Sequence, residues 1–105
     1  MDIHPRDQII IRNLAALEES GEKGFSTYYS GDTQNGTEQI KQSLSQSQQS
    51  INSIHDPKLK KEAKDLLNAN NAAIRAYMKN PTEENLSTLK TDVDNYKNFL
   101  EDHQT

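Results

Sequence analysis

The sequence predicts an all-α protein, an up-down-up-down four-helix bundle with short connections, and three observations carry that expectation. Apolar residues recur at steps of three and four in four separate segments, the spacing that lines one face of an α-helix. Turn-forming and capping residues stand between the segments, at Gly31-Asp32-Thr33-Gln34-Asn35-Gly36, at Asp56-Pro57 and at Asn80-Pro81. The segments run to roughly 19 to 26 residues, rods of about 29 to 39 Å that match well enough to pack side by side.

The first helix is expected from about Pro5 to Ser30. Ile10, Leu14, Leu17, Gly21, Gly24 and Tyr28 keep a 4, 3, 4, 3, 4 rhythm through both glycines. Propensity alone would end the helix at Gly21. The rhythm instead places both glycines on a buried seam, where a missing side chain lets another helix approach closely. Ile9-Ile10-Ile11 is β-branched and suits a strand, but no second strand candidate exists to pair with it.

The Gly31 to Gly36 segment reads as a turn, with Thr37 capping the second helix. Ile40, Leu44, Ser47, Ile51 and Ile54 form a thin stripe in a Ser- and Gln-rich stretch whose composition alone resembles a flexible linker, so this helix is expected to be the least stable. Asp56 and Pro57 supply an N-cap oxygen and a first-turn proline for the third helix. Its stripe is Leu59, Ala63, Leu66, Asn70, Ala73 and Tyr77, widened by Leu67, Ile74 and Met78. Asn80-Pro81-Thr82-Glu83 repeats the device, with Asn80 as cap and Glu83 in a capping box, before Leu86, Leu89, Val93, Tyr96 and Leu100.

Composition bounds the function. The 105 residues, 11.9 kDa, make one small domain. Leu, Ile, Val and Phe number 20, near the roughly 20% at which disorder competes, yet a net charge of −4 is modest, so the apolar pattern decides. The absence of Cys excludes disulfides, thiolate nucleophiles and cysteine-based metal sites. No apolar run reaches the length of a membrane span or a signal-peptide core, so the chain is expected to be soluble. It is expected in the cytoplasm if Met1 is the native start and outside it if a leader has been removed. Nine Lys against three Arg, with ten Asn and eight Ile, suggest an A/T-rich genome and a small bacterial protein.

Catalysis finds no support. The chain has no Gly-rich phosphate loop, nucleophile elbow or His-Glu-x-x-His. Its paired carboxylates, such as Glu18 with Glu19, Glu83 with Glu84 and Asp92 with Asp94, fall on faces expected to be exposed. Neither an enzyme nor a cofactor is expected.

An alternating bundle gathers His4, His55 and His103 at one end, with Asp2, Asp56, Glu101 and Asp102 nearby. No spacing fixes ligands on one helix, so no metal site is expected. The same end carries Lys58, Lys60, Lys61 and Lys64, a candidate contact for an anionic partner surface that Glu62, Asp65, Glu101 and Asp102 can offset. An acidic chain without a broad basic face argues against nucleic acid. The opposite end collects Phe25, Tyr28, Tyr29, Tyr77 and Met78, as an end-plug or a recognition patch. Tyr28 and Tyr29 point about 100° apart, so Tyr28 is expected inside and Tyr29 outside, the first choice for a protein-interface anchor. Asn70 falls on a packed stripe, where a polar group sets register; a site inside the bundle would need further inward polar groups, and Ser47 is the obvious one.

In size and architecture the chain is similar to the small bacteriocin immunity proteins, with no shared motif. The Trp-x-Gly turn of the WXG-type secreted proteins has a counterpart only in Tyr29-Ser30-Gly31. Their Tyr-x-x-x-Asp/Glu tail signal is missing, because Leu100 stands four residues after Tyr96. Taken together, the residues lead to a non-enzymatic binding module acting through contacts with a protein partner, an adaptor, regulator or immunity-type protein. Its candidate contact residues are Tyr29, Phe25, Tyr28, Tyr77, Lys58, Lys60 and Lys61. The alternative is an extracytoplasmic ligand- or metal-binding domain of a surface protein or lipoprotein.

Overall fold

Four helices account for nearly all of the chain between residues 3 and 104, the part that the computed structural model describes. They are α1 (Pro5–Tyr29), α2 (Thr33–Asn52), α3 (Pro57–Lys79) and α4 (Glu83–Asp102), and no strand occurs among the described residues. Each helix begins where a side chain can satisfy free backbone N–H groups. His4 accepts from the N–H of Arg6 at 3.1 Å, and Asp56 accepts from Lys58 at 2.9 Å, with Pro5 and Pro57 in the first turns.

Two caps differ from the sequence expectation. α2 starts at Thr33, capped by Asp32, whose carboxylate accepts from the N–H of Asn35 at 3.2 Å, rather than at Thr37. The turn-forming residues 33–36 are therefore its first turn, and the connection shrinks to Ser30, Gly31 and Asp32, with Gly31 at φ +116° making the reversal. α4 is capped by Thr82, which accepts from Asn85 at 3.1 Å, rather than by Asn80. Asn80 instead ends α3, donating its N–H to Ala76, because a residue before proline is driven out of helical geometry. Glu83 is then the first helical residue and forms no capping box.

α1 and α2 make the most intimate pair. Tyr28 packs on Gly36, Gly24 lies against Gln39 and Ile40, and Ser43 donates to the Leu17 carbonyl at 2.6 Å. A Cβ added at Gly36 would come within 2.6 Å of the Tyr28 Cα, and one at Gly24 within 3.0 Å of the Ile40 backbone nitrogen. Gly21 and Gly24 thus occupy the seam that the rhythm predicts. Gly36 joins them from the other side.

The close contacts of α3 with α4 form the second pair, and contacts between the pairs are sparser. The apolar core, Ile11, Leu14, Ile51, Ile54, Leu59, Ala63, Leu67, Tyr96, Phe99 and Leu100, joins both pairs near the start of α1 and the end of α4. At ~25 cal/mol per Å² of apolar surface, burying each of its larger side chains contributes about 1.5 to 3 kcal/mol. The buried line on α1 runs through Asp7, Ile11, Leu14 and Glu18 besides the glycine seam. A helix with two neighbours buries a wider arc than one stripe.

Candidate functional site

The polar residue buried in each helix, beyond the capping and core positions, decides where chemistry can occur. Asp7 in α1 is spent on structure: its carboxylate accepts from the N–H of His55 at 2.9 Å and of Asp56 at 3.1 Å, holding the α2–α3 connection. Glu18 in α1, Ser47 in α2, Asn70 in α3 and Tyr96 in α4 are also buried, and all four line one open-sided cavity of about 450 Å³. That volume falls in the range of small-molecule pockets, ~300 to 1,000 Å³.

Leu44, Leu67, Ile74, Leu86, Leu89 and Val93 supply the apolar walls, and Phe25 contributes from α1. The exposed lining residues Glu22, Ser26, Lys90 and Asp94 stand on α1 and α4, so the mouth opens between those helices. A Lys97–Glu22 ion pair at 3.4 Å links the same two helices. Glu22 raises the affinity of the Lys97 ammonium for its proton.

Glu18 overturns the expectation of an exposed carboxylate: only 9% of its surface reaches solvent. Burial is the main cause that pushes its carboxyl up to about 8, and Glu22, one turn along α1, adds to it through a hydrogen bond and its charge. Lys97 opposes them. Burial, with Glu18 close by, also drives the Tyr96 phenol upward. The Asn70 side-chain oxygen is buried without a hydrogen bond to another protein group, and the Tyr96 hydroxyl is buried against Ser47, whose side-chain hydrogen bond partly offsets the upward drive on the phenol. Such orphans are uncommon, because each forfeits about 1 to 3 kcal/mol of solvation.

The aromatic end forms as a connected set. Phe25 and Tyr29 lie 4.8 Å apart, Tyr28 and Tyr29 4.9 Å, and Tyr77 of α3 reaches Phe25 at 6.0 Å and Tyr29 at 5.8 Å. Tyr29 is 47% exposed, while Phe25, Tyr28 and Tyr77 are half-buried. Ile9, at 64%, is the other large apolar side chain exposed among the described residues.

At the other end His4 and His55 stack at 6.0 Å and Arg6 approaches His55 at 3.4 Å, whereas the His103 ring bonds the Phe99 carbonyl at 2.7 Å. Asp2 lies outside the described residues, and among those described no group of three or more His, Asp or Glu side chains is placed to hold a metal ion. Lys58 and Lys61 are exposed and Lys60 half-buried; Lys61 pairs with Asp65 at 2.9 Å, a surface contact worth little. No helix among the described residues is long and apolar enough to cross a membrane. No protein-family model, curated protein or solved structure matches the chain.

Proposed function

We propose that this protein is a non-enzymatic binding module that holds a small molecule in the cavity between its helix pairs. The observation that carries the reading is the convergence of one buried polar side chain from each helix on one apolar-walled space, with the Asn70 side-chain oxygen left without a protein partner. An up-down-up-down course of the helices, supported by contacts of α1 with α2 and α4 and of α3 with α2 and α4, accounts for that convergence. The reading takes up the ligand-binding half of the sequence-based alternative. A fragment panel followed by ligand-observed NMR tests it: hits are expected, and Asn70→Leu, which fills the polar layer with an apolar side chain, should abolish them. A panel without a hit defeats the reading.

A second reading, contact with a protein partner through the aromatic end, is favoured by the exposure of Tyr29 on a cluster of three other rings. Tyrosines held in this way serve as anchors at low entropic expense. In that case Tyr29→Ala weakens affinity capture of the partner from the source cell, and unchanged capture defeats it.

A further inference from the structure

The four polar groups of the cavity are not a neutral assortment. Glu18 is a carboxyl group, the orphaned atom of Asn70 is an oxygen, and the hydroxyls of Ser47 and Tyr96 each carry acceptor lone pairs. The layer is thus rich in acceptors and contains no cation of its own. Lys97, the positive group that Glu18 senses, stands toward the mouth and is engaged by Glu22, and Lys90 at the mouth is exposed beside Asp94 in the cavity lining. An anionic ligand head placed at the polar layer would stand near the negative charge of Glu22, which already acts on the Glu18 carboxyl. A neutral alcohol brings one donor and no charge. An ammonium group brings three N–H donors and a positive charge, and Phe25 and Tyr96 add aromatic rings to the same lining.

We propose that the cavity binds an amphipathic primary amine, its ammonium head on Glu18, the Asn70 oxygen and the Tyr96 hydroxyl, and its hydrocarbon tail along Leu44, Leu89 and Val93. This assignment rests on the cavity reading above and names the ligand class for it. Binding a cation there converts the Glu18 carboxyl to carboxylate, and the released proton leaves to solvent. The titratable groups that face Glu18 are Glu19 and Glu22 on its own helix and Tyr96 and Lys97 on α4; the cavity residues from α2 and α3 are Ile40, Ser43, Leu44 and Ser47, and Leu67, Asn70, Asn71 and Ile74, none of them ionisable in this range.

The test is titration calorimetry of the full chain with n-octylamine, n-octanol and octanoate, which share a tail length and differ in head group. Octylamine, protonated at neutral pH as a lysine side chain is, should bind tightest. Glu18→Gln should weaken it about tenfold or more, as expected for loss of a charge-assisted hydrogen bond, and leave octanol unchanged. Repeating the wild-type titration at pH 7 in buffers of different ionisation enthalpy should show release of up to about one proton per octylamine, a readout that needs no variant. Equal or tighter binding of octanol or octanoate, or no proton release with octylamine, overturns the amine assignment while the cavity reading stands. Binding of none of the three overturns both.

Discussion

The carboxylate of Asp7, in the first turn of α1, receives the backbone N–H of His55 at 2.9 Å across 48 residues of sequence. With its second oxygen it takes the N–H of Asp56 as well, so one side chain closes the connection between α2 and α3 against the start of the chain. Asp7 is 1% exposed, and His55 Nδ1 stands 3.8 Å away. Asp7→Ala is therefore expected to lower the unfolding free energy by about 1 to 3 kcal/mol, the penalty for two partly buried N–H donors left without an acceptor. Asp7→Asn, which retains one acceptor oxygen, should fall between variant and wild type in urea denaturation.

The contact of Gly36 with the Tyr28 backbone gives a prediction whose sign runs against helix propensity. Alanine is the better helix former by about 1 kcal/mol. Yet a Cβ at position 36 meets main-chain atoms, 2.6 Å from the Tyr28 Cα, which no rotamer change relieves. Gly36→Ala should destabilise by about 1 to 3 kcal/mol or more in thermal melts. Gly21→Leu should do the same by displacing the Ser43 hydroxyl, which a Cβ would approach to 2.9 Å.

Glu18 makes stability depend on pH in the direction opposite to an ion-paired carboxylate. Its pKa is raised from 4.5 to about 8 in the folded protein, so between those values the folded state binds more protons than the unfolded chain. Its contribution to stability is then full below about pH 4.5, declines as pH rises and is lost once pH passes about 8. Melting temperatures across that interval should show a decline that is smaller in Glu18→Gln than in wild type. An identical pH profile for the two would show that the carboxyl is ionised in the folded protein.

Tyr29 is both exposed and stacked, and Tyr29→Ala separates the two contributions. An isolated surface residue changes stability by no more than about 0.5 kcal/mol, whereas aromatic pairs add about 0.5 to 1.5 kcal/mol each. With three rings within 5.8 Å, a loss of about 1.5 kcal/mol or more is expected in chemical denaturation. A loss near zero would mean that the cluster gains nothing from this ring.

Much of the fold is legible in the residues because periodicity and capping are local. Of the stripe residues, Ile51, Ile54, Leu59, Ala63, Leu89, Tyr96 and Leu100 are buried, while Leu66, Tyr77, Leu86 and Val93 are half-buried, and the glycine seam follows from rhythm at Gly21 and Gly24. The Asp32 cap was hidden among turn formers because Asn35 and Gly36 are as acceptable in a first helical turn as in a loop. The cavity was half legible. Asn70 and Ser47 stand on apolar stripes and declare themselves, and Tyr96 was placed on the stripe of α4 as an apolar body. Glu18 is not legible because it lies next to Glu19, and an acidic pair reads as a solvated face. One signal was available: Glu18 follows Asp7, Ile11 and Leu14 at steps of four, three and four, a second line that only a helix with two neighbours would bury.

The glycine seam has a mechanical consequence. Where α1 and α2 meet backbone to backbone, they are held closely side by side, and the main core cluster joins both pairs near the start of α1 and the end of α4. Separation of the pairs is therefore expected to pivot about that core, against the ring contacts of Tyr77 with Phe25 and Tyr29. For a guest bound as proposed, the rings at the tip would resist the separation of the pairs and the polar layer would set how strongly the guest is held. Amide hydrogens along the α1–α2 seam should accordingly exchange with solvent last, and those of the helix faces bordering the mouth much sooner.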